Sequence, residues 1–185
     1  DNLMPDMKCA KWAVEQLKKK HDKPFFMGVG FYRPHVPMYA TKKWFDMHPK
    51  EKIKLPLVRK NDRNDLSQYA IDLTNLKHVS PTHKWVSEAG QWEHAVQSYL
   101  ASVTFADHCL GLVLDALESS DYGDNTIIAL FSDHGFHLGE KERWAKRSLW
   151  EDGTRVPIIM TAPDHKAGQK TNRPAELLDV FPTLL

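Results

Sequence analysis

Within FSDHGFHLGEKERWAK, residues 131–146, an acid and an imidazole stand side by side where the apolar run TIIALF ends. Asp133 supplies hard carboxylate oxygens of the kind that Ca²⁺ or Mg²⁺ takes, and His134 can ligate a metal or hold an anionic oxygen beside one. Gly135 then lets the backbone approach closely. The same residues could equally serve the fold, with Asp133 capping a short helix and His134 satisfied by a backbone carbonyl. Spacing alone leaves both readings open.

A second polar signal is YRPHVP, residues 32–37. His35 lies between Pro34 and Pro37, which push the backbone toward extended geometry and limit where the imidazole can go. A donor is held still in this way, although a lone loop histidine also serves structure or solvent. Lys146, closing GEKERWAK, offers an ammonium that a solvated face would explain as well. His137, Glu140 and Arg143 have equally weak claims taken one by one.

The elements around these residues place them. Ala10, Ala13, Val14 and Leu17 recur at helical spacing, which predicts a helix over 4–20 with Asp6 near its start. KPFFMGVGF, residues 23–31, reads as a buried strand. Residues 39–93 have little periodicity and read as a loop-rich insertion. From His94 to Leu117 the positions Val96, Leu100, Val103, Ala106, Leu110, Val113, Leu114 and Leu117 predict the strongest helix of the chain. Strands at Thr126–Phe131 and Val156–Thr161 and a C-terminal helix in LLDVFPTLL complete the alternation. That order predicts an α/β fold, with a largely parallel sheet sandwiched by helices. Ligands bind beyond the carboxyl ends of strands in such sheets, where Arg33-Pro34-His35 and Asp133-His134 both fall.

Composition narrows the partners. With 185 residues, 42% hydrophobic and 26% charged, the chain can bury one substantial core. A formal net charge of +1 gives no general preference for nucleic acid or membrane. The run Thr126–Phe131 is far short of the roughly 20 apolar residues that span a bilayer. Cys9 and Cys109 lack partners at metal-ligand spacing and read as buried thiols, with a single disulfide between them as the alternative. Asp1 at the start and an unfinished helix at the end suggest an excised piece.

FSDHGFHLGEKERWAK, with DNTIIALF before it and TRVPIIMTAP after it, resembles the C-terminal part of the catalytic domain of type I sulfatases, within the alkaline phosphatase superfamily. KPFFMGVGFYRPHVPM and YLASVTFADHCLGLVLDAL are similar to the same family, in an order that matches its iduronate-2-sulfatase-like branch. The resemblance covers nearly the whole chain and is weakest over 45–93. It implies one partial catalytic domain over 1–185, with Asp133 and His134 as metal ligands and His35 and Lys146 contacting the sulfate and the leaving oxygen. Phe136 and His137 are then expected to face the mouth of the site, and Arg33 to meet an acidic sugar. The cation implied is Ca²⁺, with Mg²⁺ as the alternative, and the nucleophile is a formylglycine made from the cysteine of a C-x-P-S-R motif. Neither Cys9 nor Cys109 lies in such a motif.

The resemblance implies hydrolysis of sulfate esters of a carbohydrate such as a glycosaminoglycan or algal polysaccharide, in a periplasmic, secreted or lysosomal setting. This 185-residue chain by itself is expected to be inactive. Two other functions fit the same residues: a phosphodiesterase or phosphonate hydrolase of the superfamily, and an inactive module that binds sulfate.

Overall fold

A computed structural model of the chain describes residues 1–76 and 80–185. Two compact units form, one from Asp1–Pro56 with Val86–Asp124 and one from Leu57–Trp85 with Asn125–Leu185.

The first unit is built on two helices, α1 (Pro5–Leu17) and α5 (Trp92–Glu118). Pro5 opens α1 where its missing N–H costs nothing. The helices pack through small residues: Ala10 and Ala13 from α1, and Ala101, Ser102 and Cys109 from α5, are all fully buried. A short helix, α2 (Lys42–Asp46), adds Trp44, whose ring lies 5.9 Å from that of Phe105. Among the described residues α5 is the one helix long and apolar enough to cross a membrane, a property that the residue-by-residue reading of apolar runs did not register. In this fold its buried stripe packs on α1 and α2.

Residues 23–31, expected to be a buried strand, pair with no strand among the described residues, and Phe26 is 88% exposed. Phe25 instead stacks edge-on against Tyr122 at 5.1 Å.

The second unit carries α3 (Gln68–Thr74), α6 (Glu151–Thr154) and α7 (Val180–Leu184). Helix α4 (His83–Glu88) begins here and ends in the first unit. Two ladders accompany them. Strand β1 (Ile128–Phe131) pairs with β4 (Ile158–Thr161) in the register Ile128↔Thr161 and Phe131↔Ile158. Strand β2 (His137–Leu138) pairs with β3 (Trp144–Ala145). The fold is mixed α/β as expected, but both ladders are antiparallel. A parallel return needs a crossover, usually a long helix. Between β1 and β4 the chain forms a small hairpin and the four-residue α6 and no crossover helix, and it comes back the other way.

Candidate functional site

Asp133 and His134 follow β1 directly, and the turn there is tied down on both sides. Ser132 Oγ donates to His134 O at 2.9 Å, and Gly135 N donates to Gly153 O at 2.9 Å. A Cβ on Gly135 would lie 2.1 Å from the carbonyl oxygen of Asp152. Only glycine lets the loop press onto the backbone of α6, so the close approach expected there is made to protein. Gly153, which the sequence reading passed over, is its counterpart. A Cβ at that position would meet Ser148 Oγ at 2.6 Å, Lys146 O at 3.2 Å and His137 Nε2 at 3.3 Å. The loop of Asp133 and the loop of Lys146 therefore meet across α6.

The imidazole of His134 is set by its own neighbour. Nδ1 lies 2.7 Å from Gly135 O, an acceptor, so Nδ1 carries the proton and donates. In that tautomer Nε2 is the nitrogen with the lone pair, 3.5 Å from Asp133 Oδ2. Two acceptor atoms held face to face suit a cation between them, and a backbone carbonyl on the far nitrogen is the usual way a ligating histidine is oriented. The Asp133 side chain is 84% exposed, which leaves it open to an ion. Among the described residues no group of three or more His, Cys, Asp or Glu side chains gathers at metal range. The pair fits a hard divalent cation as part of its shell, since Ca²⁺ takes about 6–8 oxygens.

His35, in the first unit, is fixed in the same manner. Its Nδ1 donates to Val36 O at 2.7 Å, leaving Nε2 as the free position, and its ring stacks on Tyr32 at 4.6 Å. The loop itself hangs on Asp6. That carboxylate, only 2% exposed, accepts from Tyr32 N at 2.7 Å and Arg33 N at 3.1 Å. Asp6 read from sequence as a helix-start acid, and its partners 26 and 27 residues away left no local signal. Arg33 corrects an expectation. Its guanidinium donates to Tyr39 O at 2.9 Å and His35 O at 3.2 Å and is buried, so it braces the loop of His35 and does not project toward a sugar.

His137 corrects another. It is fully buried and does not face a mouth: strand β2 turns it inward, where Nε2 lies 2.7 Å from Ser148 Oγ and the ring meets Trp150 edge-on at 5.9 Å. Burial pushes its pKa down, against the opposing pull of the Asp152 carboxylate 3.9 Å away, so the ring is neutral near pH 7. Phe136 is half-buried. Lys146 is also half-buried, and its Nζ makes no hydrogen bond or ion pair among the described residues.

Segment 57–85 clamps the hairpin that leads to Lys146. Arg63 pairs with Glu142, and Lys141 Nζ lies 2.8 Å from Asp62 Oδ1. Arg143 donates to Thr74 O and, at 3.2 Å, to Ser80 Oγ. Arg143 is 2% exposed with Nε unbonded among the described residues, and burial lowers its pKa. Sequence gave Arg143 only a weak claim because these partners are 63 and 69 residues away.

Neither cysteine suits an oxidised nucleophile. Cys109 is buried in α5 with its thiol pushed up to about 11 by burial first of all. Cys9 is exposed, contrary to the expectation of a buried thiol, and Lys11, Trp12 and Ala13 stand where C-x-P-S-R has Pro, Ser and Arg.

Known proteins match the chain throughout. It is 44% identical over 185 residues to a sulfatase of Formosa agariphila, covering all of this chain and 36% of that protein. It is 33% identical over 221 residues to the iduronate 2-sulfatase of Mus musculus, covering all of this chain and 40% of that protein. The fold is similar to that of Ps i-CgsB, solved in complex with k-i-k-neocarrahexaose, with a TM-score of 0.61 and 25% identity over 96% of this chain and 32% of that one. The chain thus spans about two fifths or less of the length of the curated relatives it matches. The sulfatase family model matches residues 2–185, and the chain belongs to the sulfatase family.

Proposed function

We propose that the protein is a sulfuric ester hydrolase acting on a sulfated carbohydrate, with Asp133 and His134 holding a divalent cation and His35 and Lys146 meeting the ester. The observation that carries this reading is the pair of lone-pair atoms, His134 Nε2 and Asp133 Oδ2, held 3.5 Å apart in a chain of the sulfatase family. Ca²⁺ or Mg²⁺, when bound there, polarises the non-bridging oxygens of the sulfate.

The chain's own residues do the rest. When the S–O bond to the sugar breaks, its electron pair stays on the bridging oxygen, which needs a proton or a positive charge beside it. The Lys146 ammonium, free of protein partners among the described residues, supplies charge or proton to that oxygen. His35, with Nδ1 bonded to Val36 O, offers Nε2 to the sulfate group. Asp6 and Arg33 hold the His35 loop in place. Formylglycine is the nucleophile proposed for the protein, formed at a cysteine other than Cys9 and Cys109. Iduronate 2-sulfatase among the relatives supports a sulfated uronic sugar as the substrate class.

The test is hydrolysis of 4-nitrophenyl sulfate and of sulfated disaccharides by the intact protein, beside 4-nitrophenyl phosphate, with and without a chelator. Sulfate release that is lost with the chelator is expected. Faster turnover of the phosphate would make the protein a phosphoryl hydrolase. Tight sulfate binding with no turnover of either ester would make it a binding module.

A further inference from the structure

We propose that His137 is a positioning residue for Lys146, gripping the chain on both sides of the lysine. The inference rests on the reading that Lys146 meets the leaving oxygen. On one side, His137 is the register partner of Ala145 in the β2–β3 ladder. On the other, its Nε2 lies 2.7 Å from Ser148 Oγ, while Ser148 N donates to Lys146 O at 2.7 Å and closes a tight turn over the lysine. With the Asp152 carboxylate 3.9 Å from Nδ1, the ring proton is favoured on that nitrogen, and the Ser148 hydroxyl donates to Nε2.

Two further features mark the turn as constrained. Ala145, just before the lysine, has φ of 66°, a left-handed conformation that costs a residue with a Cβ about 1–2 kcal/mol. Such a conformation persists where its surroundings over-determine it. The fourth wall is α6, whose Gly153 lies so close that a Cβ there would stand 2.6 Å from Ser148 Oγ and 3.2 Å from Lys146 O. Ladder, imidazole, hydroxyl and α6 backbone thus fix the Cα of Lys146, and through it the arc that Nζ can sweep. A reacting group misplaced by roughly 1 Å can lose about 100-fold in rate, so such fixing has kinetic weight.

A histidine that only fills the core would be felt equally by every substrate, through the fraction of folded protein. A histidine that places Lys146 is felt in proportion to how much the leaving oxygen needs help. The experiment compares kcat of the intact protein over a series of sulfate esters, from 4-nitrophenyl sulfate, a good leaving group, to phenyl and sugar sulfates, which are poor ones. The variants are Ser148→Ala, His137→Gln, His137→Ala and Lys146→Ala.

Lys146→Ala is expected to lose most on the poor leaving groups. Ser148→Ala is expected to follow the same trend, losing up to about 100-fold on the sugar sulfate and little on 4-nitrophenyl sulfate, with divalent-ion affinity unchanged. His137→Gln, whose amide reaches toward the Nε2 position, should recover part of what His137→Ala loses. Ser148→Ala leaves the buried ring in place, so the test survives if His137→Ala does not fold. If Lys146→Ala is steep while Ser148→Ala is flat across the series, the positioning role is overturned. If Lys146→Ala is itself flat, the assignment of Lys146 to the leaving oxygen fails and the positioning role fails with it.

Discussion

Asp6 and His137 are polar side chains that sit inside the protein, and each has a measurable consequence at the scale of the single residue. Asp6→Ala leaves the buried N–H of Arg33 and the part-buried N–H of Tyr32 without their acceptor. A loss of about 1–3 kcal/mol is expected for each donor stranded in this way, read from urea melts of the intact protein, together with reduced turnover because the His35 loop is released. An unchanged midpoint would show that the loop is held by other means. His137 makes stability depend on pH. Its folded pKa is lowered, by burial first, from an ordinary value of 6.5. Above that value the ring is neutral in both folded and unfolded chains and pH has no effect through it. As pH falls below it the unfolded chain takes up a proton that the folded one refuses, so stability falls by at most about 1.4 kcal/mol per pH unit until the folded ring also protonates. His83 is lowered in the same direction by its own burial and adds to the loss. His137→Gln should flatten the dependence of the melting temperature between pH 7 and about pH 5; an unaltered slope would place the acid sensitivity elsewhere.

At the scale of elements, three glycines separate close approach from open space. Gly135→Ala and Gly153→Ala force a Cβ to 2.1 Å from Asp152 O and 2.6 Å from Ser148 Oγ, and each is expected to cost about 3 kcal/mol, the upper part of the range for overpacking. Gly111, within α5, has nothing within 4 Å of a would-be Cβ, so Gly111→Ala should stabilise by about 0.5–1 kcal/mol through helix propensity. Thermal melts of the three variants check the ordering, and a destabilised Gly111→Ala would mean that this face of α5 is covered. The helices themselves were legible from periodicity: 4–20 became Pro5–Leu17, and 94–117 became Trp92–Glu118. Their buried faces were less so. Val96, Val113 and Leu117 are buried as expected, but Val103 and Leu114 are 39% and 37% exposed, and Ala101, Ser102 and Cys109 take the inner positions. Periodicity weighs large apolar side chains, whereas two helices in close contact select small ones. Strand pairing was the least legible. The apolar runs at 126–131 and 156–161 mark strands correctly, yet nothing in their composition fixes direction, and the connection between them holds a hairpin and no crossover helix, in keeping with an antiparallel ladder.

For the whole molecule, the sequence offered candidate site residues but little of what surrounds them. Asp133, His134, His35 and Lys146 stood out because type and flanking residues are local properties. Asp6, Arg143, Ser148 and Gly153 did not, because each acts through a contact that only the fold brings about: Asp6 across 26 residues, Arg143 across 63, and Ser148 through an imidazole 11 positions earlier. His137 and Arg33 were expected at the substrate and lie instead beneath the two loops that carry Lys146 and His35. The central claim is that Asp133 and His134 bind a divalent cation in a site for sulfate esters. Anomalous diffraction from crystals of the intact protein grown with Mn²⁺ and a slow sulfate-ester analogue tests it most directly. The account predicts a cation peak within about 2.6 Å of an Asp133 carboxylate oxygen and beside His134 Nε2, with the sulfate against it, and loss of that peak in Asp133→Asn but not in Lys146→Ala. A cation bound elsewhere, with Asp133 and His134 Nε2 both unligated while the sulfate ester is still turned over, would contradict it.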